Sequence, residues 1–281
     1  MAARFWVGGT GTWDSSTTTH WSTATGGAGG ASVPGSADDV TFDGSSGGGT
    51  VTVNFGGTVT ISSLTMGAFT GTLTFATNNN SVTLGLASGT ALSVGGSGVR
   101  TFNMGSGTWT FTGAGTLISL FPTTNLTFSG ASAVLVFTIT SIVQRALTLS
   151  SGLSFGAVTI NANTSGGAFT LNNNTATFAS LSVVKPNYIL FPSPVTLTIT
   201  GALNITGASG SEIGFATNTV GSIATVSSTN SGTFTWCSFR EMTFTGGGTF
   251  TATNSFDLGH NSGITITAPA TGGGGGFIIG E

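Results

Sequence analysis

From Gly44 onward the sequence runs in stretches of three to five residues that alternate apolar with β-branched polar side chains, and this limits the fold more than any other feature. Val51, Val53 and Phe55 alternate with Thr50, Thr52 and Asn54, and Leu73 and Phe75 with Thr72 and Thr74. The pattern returns around Trp109 and Phe111, in Leu126-Thr127-Phe128, in Val158-Thr159-Ile160 and in Val195-Thr196-Leu197-Thr198-Ile199. A period of two describes a strand with one face buried. Gly, Asn and Ser clusters break the runs every ~8 to 12 residues, a rhythm that suits a sandwich, a barrel or a β-helix. Glycine (47) and threonine (53), both poor helix formers, make up much of the 281 residues, which excludes a helical protein.

The expected fold is all-β, a parallel β-helix or solenoid of short strands, with a β-sandwich as the alternative. Such short strands favour the solenoid, since sandwich and barrel strands tend to be longer. Weak repeats favour it too: Asn78-Asn79-Asn80 returns as Asn172-Asn173-Asn174, and Phe121-Pro122 as Phe191-Pro192. Stacked amides can hydrogen-bond from layer to layer. Outward Thr avoids the repulsion that like charges would meet in a stack. The chain divides into three segments: an N-terminal cap over 1–43, a β-solenoid body over 44–271, and a Gly-rich tether with an apolar tip over 272–281. That tip, Phe277-Ile278-Ile279, reads either as a fraying end or as a peg that docks on a neighbouring subunit.

Charge narrows the function. Only 5% of the residues are charged and the net charge is −3, against roughly a quarter charged in an average domain. Five scattered basic residues cannot build a nucleic-acid footprint. Twenty-one Phe and five Trp in a nearly uncharged chain do not fit disorder. The longest apolar run, Ala133 to Phe137, is far short of the ~20 residues of a spanning helix, so no membrane partner is expected. Cys237, the single cysteine, cannot close an intrachain disulfide. With Arg4 the one basic residue among the first thirty and no apolar run of seven there, no signal peptide is read, and assembly in a cytoplasm is expected.

Candidates for chemistry are few. Glycoside cleavage needs two carboxyls ~5 to 9.5 Å apart, and no Asp or Glu occurs between Gly44 and Ser211. Glu212 and Glu241 form the one pair whose spacing suggests adjacent turns; the plainer expectation pairs Glu212 with Arg240 as an exposed ion pair. His20 with Asp14, Asp38, Asp39 and Asp43 offers oxygen ligands but lacks the calcium-loop spacing, so turn-capping acids and an exposed His are expected there. Asp257 could orient His260, without a nucleophile in a suitable context. Cys237 has no CxxC partner and reads as structural. Paired threonines resemble an ice-binding face, but they recur at no constant step. No cofactor, no metal and no catalytic residue are expected.

The first 43 residues stand apart, with three of the five Trp and four of the eight acids. They read Arg4-Phe5-Trp6-Val7-Gly8-Gly9-Thr10-Gly11-Thr12-Trp13-Asp14, then Trp21-Ser22, Val33-Pro34 and Asp38-Asp39-Val40-Thr41-Phe42-Asp43. This W-x-G-G-x-G-x-W…P…D-D-V-x-F pattern resembles the start of many tailed-phage virion surface β-helix proteins, and is similar to the strand repeat associated with autotransporter adhesins. It covers about a seventh of the chain. Trp6, Trp13, Trp21 and Phe42 are expected to cover an open core, and Asp38 and Asp39 to hold backbone donors at the first strand. The resemblance implies a non-enzymatic structural protein on a phage virion surface, capsid decoration first and a tail fibre or receptor-binding adhesin second. A polysaccharide-degrading tailspike-like enzyme ranks third and a secreted adhesin fourth. The implied partners are further copies of the chain as a homotrimer, other virion proteins such as the major capsid protein, and a host-surface glycan.

Overall fold

The computed structural model describes residues 2–86, 89–113, 116–139, 145–162, 168–172, 175–184, 188–191 and 195–270. Within them the chain is all-β, with long parallel sheets and a single 3-10 turn, Gly44–Ser46. The apolar tip Phe277, Ile278 and Ile279 lies outside the described residues.

Four sheets form. The largest has twelve strands and takes one strand from each pass of the chain, from Ala3–Trp6 through Asp39–Phe42, Ser63–Met66 and Thr90–Val94 up to Cys237–Arg240 and Phe256–Asp257. Its registers recur at intervals from 18 residues (Phe239 to Asp257) to 36 (Ala3 to Asp39). A five-stranded sheet runs from Gly11–Trp13 to Leu126–Ser129, a nine-stranded one from Val59–Ile61 to Met242–Thr245, and a four-stranded one from Leu203–Thr206 to Thr265–Ile266. All ladders between these strands are parallel except one: Trp21–Ser22 pairs antiparallel with Ala3–Trp6 and closes that edge of the twelve-stranded sheet. Among the described residues the only other antiparallel pairing is an isolated bridge within one turn, Ala208 with Ser211, so the two antiparallel sheets of a β-sandwich are not formed. Residues 1–43 share sheets with the body of the chain: Asp39–Phe42 pairs with Ser63–Met66, and Gly11–Trp13 with Thr50–Val53.

The alternation works as its chemistry dictates. In Thr50–Val53, Val51 and Val53 are buried while Thr50 and Thr52 face outward, in register with Thr72 and Thr74 of the next layer. The inward residues merge into one core from Trp6 to Ala252. Asn78 and Asn80 bond to the layer beneath, through Asn78 Nδ2 to Val53 O and Asn80 Nδ2 to Phe55 O and Gly57 O. They do not share a column with the second Asn run, because Asn172 ends a strand of the twelve-stranded sheet opposite Thr148; Asn173 and Asn174 lie outside the described residues. Phe121 and Phe191 also occupy different places, exposed beyond a strand and buried within one.

Two strands break the regularity. Leu153–Ala162 and Ala176–Val184 are about twice the usual length. The second half of the first pairs with Val134–Ile139, matching Leu135 to Val158. The first half of the second pairs with Thr196–Ile199, matching Ala176 to Leu197. The nine-stranded sheet therefore enters through one half of these strands and leaves through the other, a sideways step of about five residues. At mid-length the ladder between them skips the small residues Gly156 and Ala179, and Gly156 N donates to Ala133 O. Phenylalanines bridge the step inside: Phe128 meets Phe155 at 5.4 Å and Phe155 meets Phe178 at 6.1 Å between ring centroids. Truncating one such ring to Ala typically costs ~3–5 kcal/mol.

Candidate functional site

Three places bear on function: the N-terminal aromatic cluster, the carboxylates near the other end, and the sideways step. Trp6, Trp13, Trp21 and Phe42 are all fully buried. Trp21 meets Trp6 and Trp13 edge-on, each at 5.2 Å, and Trp13 reaches Phe55 and Phe75 of the following layers. Trp6 Nε1 donates to Gly9 O. The buried indole N–H groups of Trp13 and Trp21 have no hydrogen-bond acceptor.

Three of the four N-terminal acids, Asp14, Asp38 and Asp43, each hold a turn. Asp14 Oδ1 accepts from the backbone N–H of Ser16 and Thr17. Burial opposes ionisation of Asp14, but these bonds outweigh it and hold the carboxyl below its usual range. Asp38 Oδ2 accepts from Gly35 N and lies 3.7 Å from Arg4. Asp39 differs from the expectation, because its Oδ1 accepts from the Ser63 hydroxyl of the next layer and not from a backbone donor. Asp43 caps the 3-10 turn through Ser45 N. His20 lies flat on Trp6 with Nδ1 3.0 Å from Val7 O. Among the described residues no three His, Cys, Asp or Glu converge as metal ligands.

Glu212 and Glu241 sit at opposite ends of one strand pair. Ile213 is in register with Cys237 and Ala216 with Arg240, so Glu212 precedes the pair and Glu241 follows it. Five residues of extended chain separate the two positions along the strand, about 16 Å at ~3.3 Å per residue. Their carboxylates also point to different partners. Glu212 is buried and its Oε1 accepts from Gly210 N. The expected pairing of Glu212 with Arg240 does not form, since Arg240 instead donates to Thr217 O. Glu241 Oε1 accepts from Gly221 N, 2.9 Å, and from Nδ1 of the exposed His260, 2.9 Å. The Gly221 bond first, and His260 second, hold the Glu241 carboxyl below the usual glutamate range. Asp257 does not orient His260; its Oδ1 accepts from Gly259 N and Asn261 Nδ2. Burial pushes the Cys237 thiol up to about 12, as expected of a structural cysteine.

The step creates the grooves. Leu126–Ser129 ends the five-stranded sheet, and no ladder joins it to Leu153–Phe155 although the layers touch through Phe128 and Phe155. A groove of ≈360 Å³ opens there, lined by Leu126, Phe128, Ser129, Gly152 and Ser154 among others. A second, of ≈220 Å³, also reaches Ser129 and adds Asn79, Asn103 and Ser106. The first carries hydroxyls and the half-buried Leu126 and Phe128, the second hydroxyls and the amides of Asn79 and Asn103, and neither is lined by a charged side chain. Sequence patterning missed this feature, and its signal is slight: Leu153–Ala162 alternates for longer than its neighbours, with Gly156 at its middle. No family model, no curated protein and no solved structure matches this chain.

Proposed function

We propose that the chain is a parallel β-helix closed at its N-terminal end by a Trp-rich cap, and that it serves as a non-enzymatic structural protein on the surface of a phage virion, foremost in capsid decoration. The observation that carries this reading is the N-terminal layer itself. Trp6, Trp13 and Trp21 interlock there beneath the first parallel strands, within the segment that resembles virion surface proteins. The distance between Glu212 and Glu241 argues against a tailspike-like hydrolase built on that pair. A coat of Thr and Ser in place of Lys and Glu suits a part that packs against copies of itself as a homotrimer and against the major capsid protein. Assembly in the host cytoplasm and display on the virion complete the reading.

A second reading, a tail fibre or receptor-binding adhesin, is favoured by the uncharged grooves around Ser129, whose hydroxyls, amides and half-buried Phe128 suit a neutral host-surface glycan. Gold-labelled antibody on purified virions separates the two. Label on heads supports decoration, label confined to tail tips supports the fibre, and absence from virions overturns both.

A further inference from the structure

Six large apolar side chains are strongly exposed among the described residues, and five of them lie on one corner of the stack. Val99 (72%), Phe121 (57%), Val220 (72%), Ile223 (49%) and Leu258 (38%) all sit in segments that directly follow a strand of the twelve-stranded sheet. Val184 (42%) ends a strand of the nine-stranded sheet and stands apart from them. Backbone and side-chain bonds stack the corner segments on one another. Asn125 Nδ2 donates to Ser97 O and Arg100 to Pro122 O, which ties the Val99 loop to the Phe121 loop. Gly221 N donates to Glu241 Oε1 and Glu241 N to Gly259 O, which ties the Val220 and Leu258 loops together. The result is a ridge of two apolar patches running across the strands.

We propose that this ridge is a self-association surface on which a second copy of the same chain docks side by side. At these exposures, five side chains of this size offer on the order of 500 Å² of apolar surface, more than half of the ~800 Å² per partner that a standard stable interface covers. Isolated exposed apolar residues need no explanation, but five of six on one corner do. Charge points to a copy of the chain as the occupant. The lower patch carries no exposed charge, because Arg100 is buried with its guanidinium on the carbonyls of Gly98, Pro122 and Thr124. In the upper patch the Glu241 carboxylate is paired with His260, and the half-buried Arg240 and the exposed Asp257 add one charge of each sign. With no exposed charge in the lower patch and charges of both signs in the upper one, neither patch presents a field of one sign to a copy of itself, and a net charge of −3 gives little long-range repulsion between copies.

The inference rests on the homo-oligomer reading and adds the surface to it. Light scattering at micromolar concentration is to be compared for the wild-type chain, the Val99→Asp/Phe121→Asp and Val220→Asp/Ile223→Asp variants, and the Val184→Asp control, with circular dichroism confirming that each is folded. Oligomers in the wild type and control, with at least a tenfold weaker association in the ridge variants, are expected. A monomeric wild type overturns the homo-oligomer reading and the ridge with it. Oligomers that persist in both ridge variants overturn the ridge alone. Cross-linking keeps the test independent of folding defects, since Cys237 is buried and each added cysteine is the one accessible thiol. Phe121→Cys and Val220→Cys chains, alone or mixed, should form disulfide-linked dimers under mild oxidation. Val184→Cys chains should not, and equal cross-linking from all three positions counts against the ridge.

Discussion

The imidazole of His20 lies flat on the indole of Trp6, with ring centroids 4.7 Å apart and planes within 6° of parallel. Glycine makes the room: a Cβ on Gly11 would stand 2.7 Å from His20 Nε2 and 2.9 Å from Cε1. Gly11→Ala should therefore destabilise the protein by ~1–3 kcal/mol, the usual cost of overpacking. His20→Ala introduced with it should recover part of that loss, because the clash disappears. Urea midpoints of the two single variants and the double variant check this coupling.

Acid should loosen the opposite end through Glu241. Its carboxyl is held below the unfolded value by Gly221 N–H and His260, so the stability it contributes is present above the unfolded glutamate pKa of ~4.3 and lost as the pH falls through the folded one. Asp14 adds to the same acid limb. Glu241→Gln should flatten the fall in urea midpoint below pH ~4.5 relative to the wild type, with midpoints measured every half unit of pH. An unchanged acid limb would show that the bond carries no linkage.

The middle of the first long strand should tolerate no side chain at Gly156. A Cβ there would approach the backbone oxygen of Ala133 to 2.6 Å, whereas a Cβ on Gly56 would meet nothing within 4 Å. Gly156→Ala should cost ~2 kcal/mol or more, and Gly56→Ala should be neutral or stabilising by up to ~1 kcal/mol. Thermal melts of the two variants, run side by side, measure the difference.

Cys237 should be silent until the protein unfolds. With the thiol pushed up to about 12 by burial, the ionised fraction at pH 8 is on the order of 10⁻⁴. A chromogenic thiol reagent should leave the native chain unmodified over hours and react with one equivalent in concentrated urea. Rapid reaction of native protein would mean that the layer around Ile205 and Thr235 opens readily.

The all-β class and the phase of most strands are legible in the sequence because alternation and burial are one phenomenon: Val51 and Val53 point inward for the reason that Thr50 and Thr52 do not. The buried Trp6, Trp13, Trp21 and Phe42 are legible in the same way, as large apolar groups crowded into a short stretch. Repeats of identity were misleading, since Phe121 and Phe191 share a dipeptide context but not a register. Interval length is the hidden variable, for with spacings from 18 to 36 residues in the largest sheet a motif does not report which layer it lies beneath. For that reason Glu212 and Glu241, 29 residues apart, reach opposite strand ends, while Glu241 and His260, 19 apart, touch.

The sideways step also has a mechanical meaning. In a stack of strands each layer is held by its immediate neighbours, so a load applied at one end would peel layers off singly. Leu153–Ala162 and Ala176–Val184 each belong to two flanks at once, and a tear that reaches them has to run along both together. Directly beneath lies the wedge where Leu126–Ser129 and Leu153–Phe155 fail to join, a natural place for a tear to begin. Notch and crack-stopper thus occupy adjacent rungs, and a tear that opens beside Ser129 meets at once the five registered pairs from Leu135–Val158 to Ile139–Ala162.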